Sequence, residues 1–115
     1  MEYRVCRNNP APYNDLNGKI SLLGLGTMRL PLRDAADQTS IDEEKAQEIF
    51  DYAYAHGVNY FDTAYPYHGG MSEKFCGKAL AKYPRTSYHL ASKLPGWLLK
   101  CDEDVPRIFN EQLAN

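Results

Sequence analysis

Apolar positions in the first half of the chain form one short continuous run and one stripe at helical spacing. Residues 22–28 are mostly apolar without alternation, which is typical of a strand buried on both faces. From Ser40, apolar residues recur every three or four positions, which predicts a helix capped by Ser40 or Asp42 and ended by Gly57. The stripe comprises Ala46, Ile49, Phe50, Ala53 and Tyr54.

The second half of the chain repeats this alternation of strand and helix. Short strands are predicted over residues 58–62 and 87–93, with a helix over 72–82 between them and another from Asp102 onward. The last helix should bury one stripe, formed by Ile108, Phe109, Gln112 and Leu113. Alternating strands and helices indicate an α/β fold of parallel units, whose strand carboxyl ends share one ligand-binding edge.

The N-terminal segment has a different pattern. Residues 3–6 and 19–21 predict two strands of a hairpin, and Asn17-Gly18 is a strong turn signal between them. No apolar run approaches the roughly 18 residues of a membrane span, and the N-terminus lacks a signal-peptide stretch. With no long linker and no internal repeat, we expect residues 1–115 to belong to one domain.

Charge and cysteine content narrow the possible functions. Lys and Arg number 13 against 15 Asp and Glu, a net charge of −2, so nothing favours nucleic acid or an anionic membrane as a partner. Cys6, Cys76 and Cys101 are odd in number and widely spaced, which predicts reduced thiols in a cytoplasmic protein. No Cys or His pair has the spacing of a metal site, so no metal is expected.

Three residues at predicted strand ends could together carry proton chemistry. Asp62 ends the second parallel strand, Lys93 ends the third, and Tyr67 lies in the loop between. A phenol with a pKa near 10 exchanges protons poorly at neutral pH, but a neighbouring ammonium lowers that pKa. The trio therefore predicts a tyrosine that donates a proton to a carbonyl oxygen. Each residue alone also has a structural reading: a turn aspartate, a packing tyrosine or a solvated lysine.

The glycines of residues 24–29 do not form a dinucleotide-binding loop. The position of the third glycine is occupied by Arg29, and the chain continues into Leu30-Pro31 rather than into a helix. These glycines are better explained by close backbone approach at a strand end. Of the histidines, His68 directly follows Tyr67 and could border a substrate.

Three segments resemble the aldo-keto reductase family. They read GVNYFDTAYPY at 57–67, ASK at 91–93 and GTMRLP at 26–31. The resemblance implies a (β/α)8 barrel closed at its base by the hairpin, of which this chain supplies the N-terminal part. It also implies NADPH-dependent reduction of a small aldehyde or ketone.

The resemblance further assigns roles to individual residues. Tyr67 would be the general acid, Lys93 would lower its pKa, and Asp62 would pair with Lys93. The residues expected against the nicotinamide end of NADPH are Gly26, Thr27, Met28 and Asp62. The longer loop at residues 69–71 resembles a bacterial subgroup with a C-terminal iron-sulfur region, whose cysteines would lie beyond Asn115.

The length of the chain conflicts with a complete barrel. Eight units take about 250 residues, so 115 residues supply the hairpin and about three units. The family's active-site histidine, at the end of the fourth strand, has no counterpart here. We therefore expect weak NADPH binding by this chain alone. The alternative function is a non-catalytic fragment or an interaction subunit that needs a complementary chain.

Overall fold

The predicted hairpin strands pair with each other at the base of the fold. The structure is a computed structural model that describes residues 1–5 and 19–115. Strand β1 (Tyr3–Val5) lies antiparallel to β2 (Lys19–Ser21), with Tyr3 opposite Ser21. The predicted turn at Asn17-Gly18 and the first cysteine, Cys6, lie outside the described residues.

A three-stranded parallel sheet follows, which confirms the predicted β/α units. It contains β3 (Leu25–Gly26), β4 (Tyr60–Asp62) and β5 (His89–Ala91), in that spatial order. The first strand is shorter than the predicted 22–28. Leu22 donates its N–H to the carbonyl of Glu2 at 2.9 Å, so the chain leaves the sheet there to meet the hairpin.

Helix α1 (Glu43–Ala55) is capped by Asp42 and not by Ser40, the other candidate. The carboxylate of Asp42 accepts the N–H of Lys45 at 3.3 Å, whereas the Ser40 hydroxyl donates to the carbonyl of Asp37 at 2.7 Å. Gly57 follows the helix with φ +87°, and a Cβ there would lie 2.5 Å from the Tyr3 hydroxyl oxygen. Glycine is therefore required both for this backbone conformation and for the close approach of β1.

The other two helices differ from the sequence prediction at one end or on one face. Helix α2 (Met71–Leu80) begins after Gly70, so Ser72 is not a cap but is buried in the first turn. Helix α3 (Asp104–Ala114) buries Ile108, whereas Phe109 is 53% and Leu113 70% exposed. The predicted stripe on α3 is therefore only partly buried, because no described element covers its outer part.

Aromatic packing between the helices and the sheet fixes β4. Phe50 of α1 stacks on Phe61 of β4, with ring centroids 5.2 Å apart, and meets Phe75 of α2 edge-on at 5.4 Å. Phe50 and Phe61 are fully buried. This cluster holds β4 against both helices and so fixes Asp62, the last residue of that strand.

Among the described residues, every helix is too short or too polar to span a lipid bilayer.

Candidate active site

Two strand ends bring a carboxylate and an ammonium together. Asp62 ends β4 and Lys93 follows β5, and the parallel register pairs Asp62 with Ala91. The Lys93 Nζ lies 2.6 Å from the Asp62 Oδ1 and also donates to the carbonyl of Thr63 at 2.8 Å. The predicted contact between Asp62 and Lys93 is present because neighbouring parallel strands end at the same edge.

Tyr67 lies over this ion pair. It is the first residue of a 3₁₀ turn, Tyr67–Gly70, in the loop that connects β4 to α2. The Lys93 Nζ lies 5.0 Å from the centroid of the half-buried Tyr67 ring. The structure thus places all three predicted residues in one group, while their catalytic roles stay predictions.

The charge state of Lys93 follows from its neighbours. Burial lowers the pKa of Lys93, but the hydrogen bond and charge of Asp62, with those of Tyr67, raise it more, and the net pKa is above the ordinary value. A raised lysine pKa means that the ammonium and its pairing persist at neutral pH and are lost only under strongly alkaline conditions. Lys93 therefore remains a cation beside the phenol throughout the physiological range.

The residues predicted to contact a cofactor divide into two kinds. A Cβ placed on Gly26 would meet no atom within 4 Å, and the Met28 side chain is 60% exposed, so both border open space. Thr27 is fully buried, and its hydroxyl donates to the carbonyl of Asp62 at 3.0 Å. The Thr27 side chain therefore holds the end of β4 in place, and its contact with a cofactor stays a prediction.

A chain of buried hydroxyls behind the ion pair was not anticipated from the sequence. Thr63 donates to Ser72 at 2.9 Å, and Ser72 donates to Thr27 at 2.9 Å. The thiol of Cys76 is buried beside them, and burial raises its pKa, so it stays neutral. Ser72 had the sequence position of a helix cap, and only the packing of α2 on the sheet shows that its hydroxyl supports the end of β4.

A buried carboxylate supports the segment that carries Lys93. Glu73 of α2 accepts hydrogen bonds from Ser92 and, at 2.6 Å, from Gln112, and it is 6% exposed. Gln112 also donates to the carbonyl of Lys93 at 3.2 Å. These contacts join α2, β5 and α3 behind Lys93. No sequence signal identified Glu73, since it resembles an ordinary first-turn glutamate.

The sequence indicated that His68 could border a substrate, but the structure buries its ring against the backbone. Its side chain is 5% exposed, and both ring nitrogens are bonded to the backbone of residues 30–38. In residues 1–5 and 19–115, no three His, Cys, Asp or Glu side chains are grouped so that they could hold a metal ion. The site is therefore built from Asp62, Tyr67 and Lys93, with Gly26 and Met28 beside it.

Known proteins are similar to this chain over most of its length. The model of the aldo/keto reductase family matches residues 22–114. A putative aryl-alcohol dehydrogenase from Schizosaccharomyces pombe is 40% identical over 96 residues, which are 81% of this chain and 26% of that protein. A probable aldo-keto reductase from Glycine max is 33% identical over 75 residues, 65% of this chain and 21% of that protein.

A solved structure shows the same fold. The crystal structure of a thermostable aldo-keto reductase in complex with the inhibitor epalrestat has a TM-score of 0.70 and 26% identity; the match covers 99% of this chain and 38% of that one. The chain thus spans well under half the length of the relatives it matches. The predicted fold, an incomplete (β/α)8 barrel, is confirmed. This chain belongs to the aldo/keto reductase family.

Proposed function

We propose that this chain is the N-terminal part of an oxidoreductase that reduces an aldehyde or ketone with NADPH. The observation that supports this most directly is the position of Lys93, whose ammonium pairs with Asp62 and lies 5.0 Å from the Tyr67 ring centroid. Residues 1–115 would form one part of a single barrel domain. The cytoplasmic location and the subgroup with a C-terminal iron-sulfur region stay predictions.

Tyr67 is the proton donor in this proposal. Negative charge develops on a carbonyl oxygen as the carbonyl carbon is reduced, and a phenol within hydrogen-bond reach can protonate it. The phenolate that remains is stabilised by the Lys93 ammonium, because the positive charge lies beside the negative charge that forms. Asp62 and the Thr63 carbonyl hold that ammonium in one position.

The strand end at Gly26 fits a flat ligand next to this trio. Gly26 pairs in register with Asp62, and the space above it is open. The exposed Met28 borders the same space. Gly26, Met28 and Asp62, together with the backbone at Thr27, are the residues that would hold the nicotinamide end. NADPH, when bound, supplies the hydride, and the protein supplies orientation and the proton.

Replacement of Lys93 by methionine tests this proposal. In the full reading frame that contains this chain, we expect Lys93→Met to lower kcat for carbonyl-dependent NADPH oxidation by about 10²–10³-fold. Removal of a single group that stabilises charge in a transition state usually costs this much. The physical reason is loss of the cation beside the phenol. The measurement is steady-state absorbance at 340 nm, the nicotinamide band, with a panel of aldehydes and ketones.

Lys82 offers a matched control for this experiment. Lys82 also pairs with a carboxylate, Asp51, at 2.7 Å, and its side chain is 49% exposed, the same fraction as that of Lys93. It lies on the helical side of the fold, so Lys82→Met should leave kcat within about twofold. An equal loss in the two variants would contradict the proposed role of Lys93, and no carbonyl reduction by the unaltered protein would contradict the function.

A second candidate function is that of a subunit completed by another chain. Exposed apolar side chains flank the β5 edge of the sheet, and a cavity of about 400 Å³ lined by Leu23, Ile49 and Tyr52 lies beside the β3 edge. The side chains on the β5 side are Leu90, Leu94, Phe109 and Leu113. Open sheet edges and apolar faces of this kind favour association with further β/α units.

Calorimetry of the 115-residue chain, alone and with a complementary chain, tests the second candidate. With only the Gly26 side of the cofactor site present, we expect NADPH to bind more weakly than about 1 μM, equivalent to about −8 kcal/mol. Adding a chain that supplies further β/α units should restore tight binding if the subunit function is right. Binding of NADPH by the isolated chain at or below about 1 μM would contradict this expectation.

A further inference from the structure

His68 has a backbone conformation that is uncommon for residues other than glycine. Its φ is +54°, and no other non-glycine residue described by the structure has a positive φ. In this left-handed region the Cβ crowds the backbone, so the conformation persists only where surrounding contacts hold it. Gly69 and Gly70 follow with φ +61° and +88°, so the loop bends sharply directly after Tyr67.

The imidazole of His68 provides those surrounding contacts. Its Nε2 accepts the backbone N–H of Leu30 at 3.1 Å, and its Nδ1 donates to the carbonyl of Gln38 at 2.9 Å. Because a backbone N–H can only donate, Nε2 carries no hydrogen and the hydrogen lies on Nδ1. Both His68 and Leu30 are buried, at 5% and 6% exposure, so water does not readily replace the bond between them.

The segment that His68 holds is closed by its own hydrogen bonds and lies close to Gly69. Arg33 donates its N–H to the carbonyl of Ser40 at 2.8 Å, and Asp42 donates to that of Pro31 at 2.8 Å, which closes residues 31–42 into a loop. A Cβ on Gly69 would lie 2.8 Å from the Thr39 Cγ2. The bend after Tyr67 therefore rests directly against this loop.

These contacts connect the two parts of the proposed site, which are the loop that carries Tyr67 and the strand end at Gly26. Tyr67, the proposed acid, precedes His68 in the chain, and Leu30 lies four residues after Gly26, the strand end, and two after Met28. We propose that His68 is a positioning residue, which sets the place of the Tyr67 hydroxyl relative to that strand end through its bonds to Leu30 and Gln38. The inference rests on the proposed function, since it concerns the geometry of that reaction.

Three substitutions of His68 separate hydrogen bonding from backbone conformation. His68→Gly accepts the positive φ but removes both bonds, and His68→Ala removes both bonds and keeps the strain. His68→Asn tolerates the left-handed region and retains one donor and one acceptor. In the full reading frame we expect kcat to fall about 100-fold in the Gly and Ala variants, because a displacement of the reacting group by about 1 Å costs about that much. In the Asn variant we expect kcat to recover substantially.

The same experiment includes readouts that a purely structural role would not move. The KM for the carbonyl should change less than about threefold, because His68 affects the transition state rather than uniform binding. His56→Ala is the matched control, since His56 is exposed and, among the residues that the structure describes, its ring bonds only to the Tyr52 carbonyl, at 2.7 Å. It should leave kcat unchanged.

Hydrogen exchange of the Leu30 amide tests the anchor independently of turnover. Exchange should accelerate in His68→Gly and His68→Ala and stay slow in His56→Ala. A His68→Gly variant with kcat within about twofold of the unaltered protein overturns the positioning role, as does unchanged Leu30 exchange. If the unaltered protein reduces no carbonyl, the proposed function fails and the positioning role falls with it, whereas accelerated Leu30 exchange would still establish the anchor.

Discussion

We expect Tyr67→Phe to lower kcat for carbonyl reduction by about 10²–10⁴-fold, the usual contribution of a positioned general acid. That loss corresponds to about 3–5 kcal/mol of transition-state free energy. Phenylalanine keeps the ring that lies 5.0 Å from the Lys93 Nζ and removes only the hydroxyl that would donate the proton. The effect should therefore appear in kcat, while the KM for NADPH changes little. Steady-state kinetics of the full reading frame measure both.

Tyr65→Phe is the matched control for this substitution. Tyr65 lies two residues earlier in the same loop, is also half-buried, and donates its hydroxyl to Glu111 at 2.7 Å. The bond to Glu111 raises the pKa of Tyr65, so this phenol is a poorer acid and is engaged elsewhere. We expect its loss to leave kcat within about twofold. Equal rates in unaltered protein and Tyr67→Phe would show that Tyr67 is not the acid.

The second large effect concerns stability. In the 115-residue chain we expect Phe50→Ala to lower the free energy of unfolding by about 3–5 kcal/mol, the usual cost of emptying a buried aromatic position. Phe50 is fully buried and contacts the rings of Phe61 and Phe75, so its removal leaves a cavity between α1, α2 and β4. The total free energy of unfolding of a small domain is about 5–15 kcal/mol. Urea unfolding followed by circular dichroism should show a large part of this chain's stability lost.

Phe109→Ala makes the same chemical change at an exposed position. The Phe109 ring on α3 is 53% exposed, so we expect a loss below about 1 kcal/mol in the 115-residue chain. A larger loss from Phe109→Ala when further β/α units are present would indicate that those units cover α3. Similar losses from the two variants in the isolated chain would contradict the assignment of the core to the Phe50 cluster.

Local signals predicted the elements well and their ends less well. The stripe at 46–54 predicted α1, and Gly57 ended it as expected, because periodicity and a positive-φ glycine are properties of adjacent residues. The choice between Ser40 and Asp42 as cap required the fold of the loop before the helix. The strand predicted over 22–28 begins only at Leu25, because Leu22 bonds to Glu2, a residue distant in sequence, and not to the sheet.

The sequence by itself determined the order of parallel units and so the edge at which Asp62, Tyr67 and Lys93 meet. Strand alternation is a local pattern, and the rule that parallel strands end together places these residues at one edge when their strands are neighbours, as β4 and β5 are. Only the tertiary structure decided what supports them. The buried Thr27 and Ser72 hydroxyls, the Glu73 carboxylate and the His68 ring all bond to partners 19 to 45 positions away. Contacts across such separations depend on how helices pack on the sheet, which no local pattern of residues encodes.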